Sequence, residues 1–297
     1  MDAATLLLVL VSAGCHAWWN FLLKRAGGSQ AFIAVSKASE AVIFLPAFLL
    51  LLARAGPGAF AGRGAEVLGY VAGGTVLTLA GYATLAAAYR HGDLSFAYPI
   101  ARGGTLALLP ALGYLAFGER VGPVGFVAVA AIALGVFAMQ LTELSRAGAR
   151  SLGRALRGPA TGYALLMAFV LALGTVWDKR AVRAVPLFAY FYGYTALTGL
   201  CYLLWVARRD GRPAVRAEWR ARGGAAALVG VLNTTSYGLA LLALREGGST
   251  YVVGFRQLSI AAGVALGARL LGERVTPPRR VGVGLVLAGA LLMALGR

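Results

Sequence analysis

Arg102 and Arg256 each sit inside a long apolar run, 154 residues apart and in matching surroundings. A charged side chain at the centre of a spanning helix costs about 2.5–3.5 kcal/mol on insertion scales, so an embedded arginine is a functional candidate by default. The guanidinium is a planar fork of five donors that suits the oxygens of a carboxylate or a phosph(on)ate, so the chemistry on offer is anion binding. Two alternatives stay open for each arginine. It can snorkel to the membrane surface, or it can pair structurally with Glu40 or Glu246.

Other polar side chains recur at helical spacing within apolar runs. Ser12, His16, Trp19, Asn20 and Lys24 fall three to four residues apart and share one face of a first helix. His16 could carry protons or be a hydrogen-bonded structural histidine, and Trp19 could stack on a substrate or belong to the core. Lys37 and Glu40 are three apart and can pair, which fits either charge neutralisation or a proton relay. Thr75, Thr78, Tyr82 and Tyr89 form a stripe that Asn233, Ser236 and Tyr237 answer in the second half. Tyr98 and Pro99 precede Arg102, and Gln257 follows Arg256. Pro99 removes an amide and would open the local helix ladder. The candidate binding set is therefore Arg102, Arg256, Tyr98, Trp19, Asn20, His16, Tyr82, Tyr237, Asn233 and Gln257, with Glu40 and His16 the candidates for coupling.

The elements that must position these residues follow from composition. Of 297 residues 59% are hydrophobic and only 13% charged, half the charged share of an ordinary soluble domain. Mean hydropathy is +0.75. Apolar runs long enough to cross a hydrocarbon core of about 30 Å cover 3–23, 31–53, 66–88, 94–117, 123–142, 160–178, 186–207, 223–244, 249–271 and 280–296. Backbone amides in lipid must be satisfied within the segment, so these are helices. The first run has no cleavage-like site and reads as a retained span. Cys15 and Cys201 fall inside such runs and read as small buried hydrophobes. Gly69 with Gly73 and Gly263 with Gly267 read as packing seams between helices.

The net charge of +17 lies mostly in short connections, where arginines meet headgroups rather than nucleic acid. The two longest polar connections, 143–159 and 208–222, both carry arginine clusters, which by the positive-inside rule places both termini outside. Trp177-Asp178-Lys179-Arg180 reads as a charged helix end anchored at the headgroups. Two histidines 75 residues apart, with no clustered acids or cysteines, give no metal or triad spacing, so no enzyme chemistry and no cofactor is expected.

The chain repeats itself. Lys24 and Tyr82 recur 155 residues on as Lys179 and Tyr237; Arg102 and Glu119 recur 154 residues on as Arg256 and Glu273. Gly118-Glu119-Arg120-Val121 and Gly272-Glu273-Arg274-Val275 are each followed by a proline two residues later and read as tight helix connections, with a gate or hinge as the alternative. Five spans between equivalent points would insert the second copy upside down. The expected fold is an all-α membrane protein of ten transmembrane helices in two inverted five-helix repeats, 1–145 and 158–297.

On these repeats, on His16-Ala17-Trp18-Trp19-Asn20 with Lys24, on Arg90-His91-Gly92-Asp93 before Tyr98-Pro99-Ile100-Ala101-Arg102, and on the paired Gly-Glu-Arg motifs, the chain resembles the EamA-like branch of the drug/metabolite transporter superfamily. The resemblance implies transport of small metabolites across an inner (plasma) membrane, often outward, and it implies cytoplasmic termini, against the arginine count. Small four-helix multidrug members rely on a glutamate in the first helix, which this chain lacks beyond Asp2. The expectation is therefore a secondary transporter of a small anionic or zwitterionic metabolite working by alternating access, its partners the bilayer and its substrate, with a second copy of the chain as a candidate. The alternative is a flippase for a polyprenyl-phosphate-linked sugar.

Overall fold

The structure is a computed structural model that describes residues 2–60, 62–91, 94–139, 141, 153 and 158–296; the side chains of 57, 59, 89 and 94–99 lie outside the described residues as well. The described chain is helical: α1 Ala3–Arg25, α2 Gln30–Ala55, α3 Gly64–His91, α4 Leu94–Phe117, α5 Pro123–Ala138, α6 Pro159–Ala184, α7 Leu187–Arg209, α8 Arg212–Glu246, α9 Ser249–Arg256, α10 Leu258–Leu271 and α11 Pro277–Leu295, with a 3-10 turn at Pro57–Phe60. Among the described residues nine spans, α9 and α10 counting as one, are long and apolar enough to cross a membrane; α5 is apolar but has 16 residues. The protein is a multi-pass membrane protein.

Local chemistry sets the helix ends. The Asp2 carboxylate accepts from the Thr5 amide at 2.7 Å and Ser29 Oγ from the Phe32 amide at 3.1 Å, each satisfying an orphan donor of the first turn. Proline occupies the first turn of α5, α6, α8 and α11, where its missing N–H costs nothing. At the ends of α4 and α10, Gly118 and Gly272 take φ of 68° and 66°, a left-handed conformation that glycine adopts without strain. In both places the next amide, of Glu119 or Glu273, returns 3.2 Å to the carbonyl of Gly113 or Gly267. The two Gly-Glu-Arg motifs are thus the same tight cap, as their sequence predicts.

Helix pairing follows the repeat. α1 lies on α8 and its equivalent α6 lies on α3; α4 lies on α6 and its equivalent, α9 with α10, lies on α1; α2 pairs with α7 and α5 with α11. Exchanging the halves maps this set of pairs onto itself. The α1–α8 contact is tied by reciprocal bonds, Ser12 Oγ to the Ser236 carbonyl at 2.7 Å and Ser236 Oγ to the Ser12 carbonyl at 2.8 Å, both buried.

Several elements differ from the sequence expectation. The α5–α11 seam is built on Gly135, Gly282 and Gly289, where an added Cβ would press on the opposite backbone. Gly69 and Gly263 face no neighbour, so the expected glycine seams are not helix contacts there. The 208–222 connection is largely helical: α8 begins at Arg212 and bends where Arg222 leaves helical geometry, at φ −141° and ψ 21°. α6 runs through Trp177-Asp178-Lys179-Arg180 to Ala184, so that tetrad is not a helix end. Finally, α4 continues past Pro99, and the break falls instead in the second repeat at Gln257, between α9 and α10. Most of the 143–159 connection lies outside the described residues.

Candidate functional site

Arg102 from α4 and Arg256 from the end of α9 converge on His16 of α1. The Arg102 guanidinium nitrogen Nη2 is 3.1 Å from His16 Nε2, and Arg256 Nη2 is 3.5 Å from His16 Nδ1. All three side chains are partly buried. Local packing holds the imidazole: the Trp19 indole N–H donates to Nδ1 at 3.2 Å with the rings edge to face, and Asn20 Nδ2 donates to the His16 carbonyl at 2.7 Å. These residues fall together because α1 places them one turn apart on the face it turns toward α9 and α10.

Two guanidinium groups meet one imidazole, and the Asp178 carboxylate lies within electrostatic reach of Arg256. A neutral imidazole accepts a hydrogen bond at only one of its two nitrogens, yet donors address both. A protonated imidazole would accept at neither and would add a third positive charge.

The remaining expected site residues divide into two further clusters. Glu40 of α2 is buried and accepts from Lys37 Nζ at 3.0 and 3.1 Å and from Asn233 Nδ2 of α8 at 2.9 Å. Lys37 and Glu40 thus pair as their spacing predicts, and Asn233 joins them rather than the arginines. Tyr237 of α8 donates to Asp178 Oδ2 at 2.7 Å, and Tyr190 of α7 donates to Asp178 Oδ1 at 2.5 Å. Tyr194 stacks beside both tyrosines and bonds to Thr78 of α3 at 2.8 Å.

Tyr82, the repeat partner of Tyr237, packs edge to face against the ring of Tyr202, within electrostatic reach of Tyr194, and is more than one third exposed. Gln257 is buried at the helix break after Arg256. The side chain of Tyr98 lies outside the described residues, and so does that of Tyr89. Of the carboxylates named as alternative partners for the arginines, Glu40 is taken by Lys37 and Asn233, and Glu246 lies 3.7 Å from Arg245.

Sequence reasoning misses Asp178. It falls in a charged tetrad that imitates a helix end, while the helix runs on for six more residues. The usable signal is the repeat: Lys179 matches Lys24, which itself lies on the polar face of α1, so its neighbour belongs to a span. Tyr190 is fully buried and donates to Asp178. Among the described residues no group of three or more His, Cys, Asp or Glu side chains could hold a metal ion.

Away from this centre, a cavity of about 620 Å³ opens between α2, α7 and the first turns of α8, walled by Val35, Val42, Ile43 and Leu203 with Arg216 and Arg220 beside it. At the two ends of the bundle, each repeat reaches the other. Lys24 bonds to Glu273, and Lys179 bonds to Glu119. The Lys24 side chain is 64% exposed and the Lys179 side chain 2%, so the two ends are packed unequally.

The comparisons agree with this architecture. Residues 159–295 match the model of the EamA-like transporter family. Chains of solved structures also match; one, titled only "Crystal structure of protein", covers 99% of this chain and 98% of its own at a TM-score of 0.75 and 14% identity, a likeness of fold. No curated protein matches the sequence.

Proposed function

We propose, starting from a chain whose residues 159–295 belong to the EamA-like transporter family, that this membrane transporter of small molecules carries a small anionic or zwitterionic metabolite by alternating access. The observation that supports this most is the convergence of Arg102 and Arg256, repeat equivalents, on His16. A guanidinium inside a membrane is placed there at a cost of several kcal/mol, and a substrate anion bridging the two would gain charge-assisted contacts to both. Trp19 holds the imidazole between them, so the site is held in place before substrate arrives.

The two halves act as inverted repeats if each of their five helices crosses the bilayer once, and the exchangeable pairing of helices supports that reading. Alternating access then follows from opening one end while the other closes. The buried Lys179–Glu119 pair marks the closed end, and the exposed Lys24–Glu273 pair marks the end with access. An anion moves the equilibrium between the two states only by contacting the arginines more strongly in one of them. The metabolite is carried outward across an inner (plasma) membrane in this reading.

The test is tracer flux into proteoliposomes with a panel of phosphate, methylphosphonate, sulfate and amino acids. Flux of at least one anion should fall by about tenfold or more in Arg102→Lys and in Arg256→Lys, since lysine keeps charge but loses the fork. Equal flux in parent and both variants removes the proposed role.

A second reading, a flippase for a polyprenyl-phosphate-linked sugar, is favoured by one feature, the apolar cavity with Arg216 and Arg220 beside it. Mass spectrometry of lipids retained by the purified protein separates it: a bound polyprenyl phosphate supports the flippase, and its absence favours the soluble anion.

A further inference from the structure

Glu40, His16 and Asp178 differ in what a proton would do to them. Glu40 is buried under Lys37 and Asn233, so protonating it would break a buried ion pair. His16 sits between two guanidinium groups, so protonating it would gather three positive charges. Asp178 differs. Its two oxygens accept from Tyr190 and Tyr237, and a phenol O–H can turn to accept as readily as it donates. A protonated Asp178 can therefore donate to either tyrosine with no bond lost.

Asp178 also lies within electrostatic reach of Arg256. The groups around it are Tyr190 and Tyr194 from α7, Tyr237 from α8 and Arg256 from α9. α3 reaches the cluster through Thr78 on Tyr194, and α4 meets α6 through Thr105 on the Ala168 carbonyl. Lys179, next in sequence, is directed to Glu119 and the Gly247 carbonyl.

We infer that Asp178 is a proton-binding site coupled through Arg256 to the anion site, so that an anion and a proton are carried together in the same direction. The inference rests on the proposed anion site. An anion at Arg256 and an ionised Asp178 lie in the field of one guanidinium, and two negative groups so placed disfavour each other in a medium of low dielectric constant. The anion therefore favours the neutral carboxyl. The proton comes from water, bonds to a carboxylate oxygen of Asp178 and leaves to water on the other side when the anion departs; no other bond changes. Coupling of this kind is reciprocal, so protonation must tighten anion binding by the factor by which the anion tightens proton binding.

The experiment uses the purified full chain in nanodiscs with sulfate, which does not itself titrate near neutral pH. Infrared difference spectra follow the carbonyl band of a protonated carboxyl against pH, and equilibrium dialysis of labelled sulfate measures binding in the same samples. The expected result is a band that Asp178→Asn removes and that sulfate moves about one pH unit upward, a tenfold gain in proton affinity. Sulfate affinity should become independent of pH in Asp178→Asn. Tyr237→Phe should keep the band and move it upward even without sulfate, because the charged form loses a donor. Sulfate that binds while the band stays in place overturns the coupling and leaves the anion site standing. Sulfate binding that is absent, or unchanged in Arg102→Gln and Arg256→Gln, overturns the anion site and the coupling with it.

Discussion

Lys179 of the second half bonds to Glu119 of the first across the bundle, and the Gly247 carbonyl and Ser249 complete the knot: Lys179 also donates to Gly247, while the Ser249 amide and hydroxyl donate to Glu119 Oε2 at 2.9 and 2.7 Å. Gly113 makes room for this, since a Cβ there would lie 2.7 Å from the Glu119 carboxylate. Gly267 does the same for Glu273 at 3.0 Å. The Gly-Glu-Arg motif therefore caps a helix and returns its glutamate over a glycine to meet a lysine of the other repeat.

The Glu119 pair sets a pH dependence. Burial raises the Glu119 carboxyl, but donation from Lys179 and Ser249 outweighs it, and the carboxyl is held below its ordinary value. A lowered folded value contributes stability above the unfolded value of about 4.3, and that stability is lost as pH falls through the folded value. Melting temperature should therefore drop more steeply in the parent than in Glu119→Gln as pH falls below about 4.3. Parallel curves would contradict the assignment.

The two ion pairs should contribute unequally. Lys179→Met leaves a half-buried carboxylate without its cation and should cost about 2–3 kcal/mol, below the ~3–5 kcal/mol of a fully buried pair. Lys24→Met removes an exposed pair and should cost no more than about 1 kcal/mol. Urea titration in mixed micelles provides the comparison, and equal losses would count against an asymmetric closed end.

Lys37 and Glu40 form a second buried pair, at 3.0 Å, whose carboxylate is more deeply buried than that of Glu119. Removing Lys37 alone should lower stability by about 3–5 kcal/mol, while Lys37→Met with Glu40→Gln should recover most of it, because the cost lies in the uncompensated charge. Thermal melts of the single and double variants check this. A double variant no better than Lys37→Met would place the cost elsewhere.

Close approach of α5 and α11 depends on absent side chains. Gly282→Val would drive a side chain into the Gly135 carbonyl and the Met139 backbone, whereas Gly284→Val meets open space. Folded yield after detergent extraction should collapse for the first and hold for the second. Similar yields would show that the seam can separate without loss.

Much of this was legible in the sequence, and the reasons are physical. Apolar length predicts the spans because lipid leaves the backbone no alternative to helix. The repeat places Arg102 with Arg256 because a shared offset is a statement about shared three-dimensional position. Asp178 escapes because charge clusters are read as boundaries, and only tertiary partners, Tyr190 and Tyr237, keep its helix running through the cluster. The helical start of α8 escapes because Arg212, Arg216 and Arg220 look like a loop when hydropathy alone is averaged; their four-residue spacing is the missed sign of a helix face. That Tyr82 meets Tyr202 while Tyr237 meets Asp178 escapes because repeat symmetry fixes helices and leaves side-chain partners to local sequence.

The measurement closest to the central claim is labelled-anion binding to the parent protein, Arg102→Lys, Arg256→Lys and His16→Phe in the same bilayer. Binding should weaken by about tenfold or more in each arginine variant, with a smaller loss in His16→Phe, which removes the imidazole the two guanidinium groups share. Undiminished binding in both arginine variants would contradict an anion held between Arg102 and Arg256.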